Sequence, residues 1–233
     1  MNSYRKTAIV AGALFIICTA ATLLSFPFSG PILADSDYLA KLPANESMVI
    51  TGALIEFIWA AACAGIAIVL YPVLRRYSAA LALGSVGFRV VEGVFVLVGT
   101  LSLLALLTLS QELVTAGSQA AVSLQTSGTL LLSIRDWAHN VVATLAFSLG
   151  AFMYYVLFYK SRLIPRWLSG WGLIGALLAL AATVMASFTH NFDTASLNTY
   201  LNIPIGLNEL VLALWLIVKG FSPAANTTAP VEA

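Results

Sequence analysis

A chain of 233 residues that is 60% hydrophobic and only 9% charged, with a mean hydropathy of +0.94, excludes a soluble globular domain, in which about a quarter of residues carry charge. The formal net charge of +1 excludes a nucleic-acid partner, because no basic stripe can neutralise a phosphate backbone. The chain is therefore read as an integral membrane protein whose first partner is the lipid bilayer.

The first apolar run, Thr7 to Phe26, follows Arg5 and Lys6. It exceeds the roughly 7 to 15 apolar residues of a secretory signal and reaches the roughly 20 needed to cross the hydrocarbon core, so it is expected to be an uncleaved first helix. Further runs follow at Val49 to Leu74, Ala79 to Leu106, Trp137 to Tyr159, Leu168 to Phe188 and Leu201 to Val218. Lipid offers no partner to a backbone N–H or C=O, so each run must be helical unless a barrel closes, and continuous apolarity excludes barrel alternation. The expected fold is all-α, a six-transmembrane-helix bundle forming one domain over 1–221, with a disordered tail over 222–233. Cys18 and Cys63 fall inside apolar runs, where a free thiol behaves as a small hydrophobe, so neither a disulfide framework nor a cysteine zinc site is expected.

Orientation follows from the positive residues of the loops. Arg5, Lys6, Arg75, Arg76, Lys160, Arg162, Arg166 and Lys219 fall on one side; the other has Lys41 together with Asp35, Asp37, Glu46, Glu112 and Asp193. Both termini are expected in the cytoplasm. Tight inner turns, Arg75 to Ser78 and Ser161 to Arg166, contrast with outer segments long enough to build a lid. One of these, Glu112 to Leu124, carries apolar residues at roughly helical spacing and is expected to lie along the membrane interface.

Charges within these runs mark a place, since a charged side chain at the bilayer centre costs at least about 2.5 to 3.5 kcal/mol. Counting about 1.5 Å per residue from the basic anchors puts Glu209 and its neighbour Asn208 near the midplane, about 15 Å in; Arg89 lies about 20 Å in and Glu92 about 24 Å. Glu56 comes out near 28 Å, close to the outer boundary, with His139 beside it and Asp136 slightly beyond. Arg89 and Glu92 share one helical face, as do Asp136, His139 and Asn140. Counting Arg89 and Arg135 against Glu56, Glu92, Asp136 and Glu209 leaves an excess of negative charge. A protonated His139, a carboxyl group that keeps its proton, or a bound cation would each compensate it.

Two readings stand for most of these groups. Arg89 and Glu92 are either an ion pair that locks the bundle or a clamp in which Arg89 faces a carboxylate or lipid phosphate. Asn202-Ile203-Pro204-Ile205-Gly206 before Glu209 is either a broken start to the last helix, where membrane proteins place ligands, or a kink that serves packing. Asp136, His139 and Asn140 supply half of a metal or proton-relay site, or else Arg135 and Asp136 are ordinary headgroup-level residues. His190, the only other histidine, is followed by Asp193; a bis-histidine haem is disfavoured by the different depths. No catalytic fingerprint is present, and no cofactor is implied. The small-residue pairs Ala61/Gly65, Gly84/Gly87 and Gly172/Ala176 are read as close helix packing; Tyr154, Tyr155, Trp167, Trp171 and Tyr77 are read as an aromatic belt.

Tyr71-Pro72-Val73-Leu74, Phe88-Arg89-Val90-Val91-Glu92, Leu163-Ile164-Pro165-Arg166-Trp167-Leu168, Asn202-Ile203-Pro204 with Glu209, and Trp215-Leu216-Ile217-Val218-Lys219-Gly220-Phe221 together resemble the bacterial membrane family catalogued as domain of unknown function 4386. The resemblance runs from the first helix to Phe221 and implies a multi-helix bacterial membrane protein, with no substrate or catalytic assignment. The expected function is an outward-open intramembrane polar cavity, lined by Glu56, Arg89, Glu92, Asp136, His139, Asn140, Asn208 and Glu209, that binds or transports a small polar molecule, ion or lipid headgroup. The alternatives are a lipid-modifying membrane enzyme using Asp136, His139 and Glu209 as acid/base groups or metal ligands, and a structural or sensory accessory. Oligomeric state is not readable from the chain.

Overall fold

The computed structural model describes residues 3–115, 118–190 and 197–222; Asp193 and the tail beyond Ser222 lie outside them. These residues form helices and turns with no strand. The helices are α1 (Ser3–Leu33), the single turn α2 (Tyr38–Lys41), α3 (Glu46–Leu74), α4 (Ala79–Thr115), α5 (Ser118–Asp136), α6 (Thr144–Ser161), α7 (Arg166–Thr189) and α8 (Leu197–Val218), with a π-helical segment, Trp137–Ala143, joining α5 to α6. Six helical stretches, among them the continuous Ala121–Ser161, are long and apolar enough to cross a membrane. This multi-pass architecture agrees with the one expected.

The spans close into a ring. Each of α1, α3, α4, α6, α7 and α8 packs on the next, and α8 returns to α1, while α5 lies against α4. Since the spans alternate in direction, the basic residues gather at one end. There the Arg5 guanidinium donates to the carbonyls of Leu216 and Ile217, at 3.1 and 2.5 Å, capping the C-terminus of α8. In the same region the Arg76 guanidinium lies over the Tyr4 ring at 5.1 Å, and the Ser222 N–H donates to the Leu163 carbonyl at 2.9 Å. Gly220 adopts φ +75° and bonds back to the Trp215 carbonyl, the left-handed stop that glycine makes without strain. At the opposite end Leu39, Leu42 and Val49 pack on Leu103, Leu106 and Leu107 as a small second core. Beside it Lys41 pairs with Asp35; that ammonium and the Asp37 backbone N–H hold the Asp35 carboxyl below the usual carboxylate range.

Close approach of helices rests on small residues. A Cβ on Gly12 would meet the Ala213 carbonyl at 2.7 Å, and one on Gly93 the Ala60 carbonyl at 2.8 Å, so α1 seats on α8 and α3 on α4 nearly backbone to backbone. Of the expected packing pairs, Gly172 lies against the Tyr155 ring and Gly84 against Met153, whereas a Cβ on Gly87 would meet nothing within 4 Å.

The stretch Glu112 to Leu124 spans the end of α4 and the beginning of α5, with 116 and 117 outside the described residues. No proline interrupts 118 to 161, and the helix carries on through the π segment into α6. The last helix is not broken at Asn202 to Gly206, because α8 runs through Pro204 without interruption. Proline removes a single N–H donor there, and Gly175 of α7 is closely packed on Ile205, its Cβ position 3.1 Å from that residue. The packing reading is the one the structure supports.

Candidate functional site

The buried polar residues separate into two stations. The first is centred on Arg89, which is 0% exposed and is met by helices from three sides. Its Nε donates to the Cys63 carbonyl of α3 at 3.4 Å, its Nη2 reaches the Cys18 sulfur of α1 at 3.9 Å, and its guanidinium lies over the Phe147 ring of α6 at 5.2 Å. Its Nη1 stands 2.9 Å from Glu92 Oε2, one turn along the same helix. That contact is an ion pair by distance but not an aligned hydrogen bond: both Nη1 and Oε2 are buried without a hydrogen-bond partner. The other Glu92 oxygen accepts from the Cys63 thiol at 3.1 Å. Glu209 of α8 lies within electrostatic reach of Arg89 and accepts from the Tyr154 hydroxyl at 2.9 Å. Tyr155 donates to Asn208 Oδ1 at 2.5 Å, and the Asn208 amide donates to the Leu168 carbonyl of α7 at 3.0 Å. All six ring helices contribute a group to this centre.

The second station lies nearer the end opposite the basic one. The Glu56 carboxylate of α3 receives both arms of the Arg135 guanidinium, at 2.5 Å on Oε1 and 3.2 Å on Oε2, and the Thr100 hydroxyl at 2.7 Å. Arg135 also donates to the Gly99 carbonyl at 3.0 Å and the Ser29 hydroxyl at 3.3 Å. This fork-on-fork pair is saturated, as a buried ion pair must be to hold its place. His139 stands beside it, its Nε2 4.0 Å from Glu56 and 2.9 Å from the Val96 carbonyl. A carbonyl can only accept, so Nε2 carries the proton. The ring fits against Gly99, whose missing side chain leaves the room, since a Cβ there would come within 2.2 Å of it, and it meets Trp59 edge to face at 5.5 Å.

The π-helical segment explains this placement. An extra residue in the turn re-aims side chains, and the Thr144 hydroxyl takes up the carbonyl of His139 five residues earlier, at 3.1 Å. Arg135, expected at headgroup level, is thereby buried to 8% exposure, while Asp136 and Asn140 are half-buried.

Of the eight residues singled out from the sequence, Arg89, Glu92 and Glu209 converge, with Asn208 alongside through the tyrosine pair. Glu56 and His139 meet each other instead. His190 ends α7 at φ 52° and packs on Trp137 at 5.4 Å, while the His139 ring meets Trp59 and the Val96 carbonyl. Among the described residues no three of His, Cys, Asp and Glu are placed to share a metal ion. Sequence reading missed Cys18, Cys63, Tyr154 and Tyr155. The two tyrosines, assigned to an interfacial belt, are instead 0% exposed and supply hydroxyls to Glu209 and Asn208; a buried tyrosine needs such a partner, and the two acceptors at 208 and 209 were the available signal.

A family model described as domain of unknown function (DUF4386) matches residues 10–220. No curated protein and no solved structure matches the chain.

Proposed function

Since the chain belongs to the family of domain of unknown function 4386, whose description assigns no activity, we propose from the polar centre alone that this multi-pass membrane protein binds a small cation, or a small polar molecule carrying positive charge, between Glu92 and Glu209. One observation carries the reading. A single guanidinium, Arg89, pairs with one buried carboxylate, Glu92, while a second, Glu209, stands beyond ion-pair distance but within its electrostatic reach, and two atoms of the ion pair lack aligned hydrogen bonds. Buried charge without full pairing is costly and calls for a functional explanation. The Glu56–Arg135 pair in the same membrane protein is saturated by comparison, which separates a locking pair from an incomplete one.

The ligand reaches this centre from the side opposite the basic end, where Glu56, Arg135 and His139 form a second polar station on the way. By the distribution of basic residues that side is the outer face of a bacterial inner membrane, with both termini in the cytoplasm. A lipid-modifying enzyme built on Asp136 and His139 draws less support, because His139 already spends its Nε2 proton on a backbone carbonyl.

Native mass spectrometry of the detergent-extracted protein tests the reading. The wild type is expected to release a small positively charged species that the Glu209→Gln variant lacks. Equal occupancy in the two proteins, or none in the wild type across loading with Na⁺, K⁺ and simple amines, would overturn it.

A further inference from the structure

The only two cysteines of the chain lie 45 residues apart in sequence, on α1 and α3, yet their sulfurs stand 3.5 Å apart in the buried centre. At about 1.5 Å per residue both come out about 18 to 20 Å from the basic anchors Arg5 and Arg75, level with one another. Two thiols in an apolar bundle have no packing reason to meet, and these two meet inside a polar setting. Cys63 donates its thiol proton to Glu92 Oε1 at 3.1 Å, and the Arg89 guanidinium reaches the Cys18 sulfur at 3.9 Å. A nearby cation favours the thiolate of Cys18, and the Glu92 carboxylate is placed to receive the Cys63 proton. On the same helix seam an open apolar groove of about 230 Å³ is lined by Leu14, Ile17, Phe57, Ile58, Ala61 and Ala62. Ile17 and Ala62 are the chain neighbours of the two cysteines, and Ile17, Phe57 and Ile58 are exposed. The groove is smaller than a pocket for a drug-sized ligand, for which about 300 Å³ is the lower bound, and has the room and polarity for one lipophilic ring.

We propose that Cys18 and Cys63 form a redox-active dithiol within the membrane, oxidised to a disulfide by a lipid-soluble quinone that approaches along the α1–α3 groove. The step balances. Two S–H bonds break and one S–S bond forms; the two electrons and two protons released reduce the quinone to its quinol, which leaves into the lipid. The Cys63 proton passes first to Glu92, and Arg89 stabilises the Cys18 sulfur as its proton departs. Closure requires the sulfurs to approach from 3.5 Å to about 2.05 Å, a small shift of two helices already in contact. The proposal shares Glu92 with the cation reading but needs no occupant between Glu92 and Glu209.

The test uses the reduced full-length protein in lipid nanodiscs with decylubiquinone as the probe. Quinol formation is read from ultraviolet absorbance, and the cysteines from peptide mapping without reductant. The wild type is expected to form one quinol per chain and a peptide joining α1 to α3. Cys18→Ala and Cys63→Ala are each expected to form neither. Ala61→Trp, which fills the groove at an exposed position, is expected to lose the quinone reaction while the water-soluble oxidant diamide still closes the disulfide. Absence of quinol with both thiols alkylatable after unfolding would overturn the proposal. So would a disulfide formed by diamide but never by the quinone, or undiminished quinol formation in the cysteine variants.

Discussion

Arg89 and Arg135 are both buried guanidiniums paired with glutamates, and the difference between them lies in their remaining atoms. Arg135 places four donations on Glu56, Gly99 and Ser29, whereas Arg89, beside its ion pair with Glu92, makes only two long hydrogen bonds, to a carbonyl and a sulfur. Removing one partner of a saturated buried pair strands the other, at about 3 to 5 kcal/mol. Arg135→Met is therefore expected to destabilise the protein by about that amount, checked by thermal unfolding in detergent. Glu209→Gln should behave in the opposite way. Glutamine still accepts from Tyr154 and removes the spare negative charge, so the variant is expected to unfold at the same or higher temperature than the wild type while losing its ligand. A clear drop in its unfolding temperature would mean that Glu209 is a structural partner of Arg89.

The helices were largely legible in the sequence, because the bilayer forces every apolar run of sufficient length into one form. Their number and the basic ends of the spans came out as read from charge and hydropathy. What could not be read was rotation about the helix axis. Arg135 looked like a headgroup residue by distance along the chain, and only the π-helical turn between α5 and α6 brings it inward to Glu56. Likewise Cys18 and Cys63 looked like two separate small hydrophobes, since nothing in their spacing reveals that α1 and α3 are neighbours. Two glycines of α4 test the packing directly. Gly93→Ala is expected to destabilise the bundle, because the new methyl meets the Ala60 carbonyl at 2.8 Å, a backbone atom that moves only with its helix. Gly87→Ala meets nothing within 4 Å and is expected to be neutral or to gain up to about 1 kcal/mol from helix propensity. Side-by-side unfolding curves decide, and equal effects at the two positions would refute the proposed backbone-to-backbone crossing of α3 and α4.

For the whole molecule, the clustering of basic residues at one end predicts its sidedness. Lys41→Cys, in a background without Cys18 and Cys63, is expected to react with a membrane-impermeant maleimide added to intact cells, while Lys160→Cys reacts only after lysis. The reverse pattern would invert the topology and place the second station on the cytoplasmic side. The ring arrangement also means that no single helix owns either station, so the relative rotation of the helices sets the distance between them. Here the π-helical segment Trp137–Ala143 acts as a phase shifter in an otherwise continuous rod. Ordinary helix advances about 100° per residue, so deleting one residue from that segment would return the rod to α-helical register. Arg135 and α6 would then be out of step by about one residue's rotation. The rod could aim Arg135 at Glu56, or Tyr154 at Glu209, but no longer both, and a one-residue deletion would uncouple two sites that no point substitution connects.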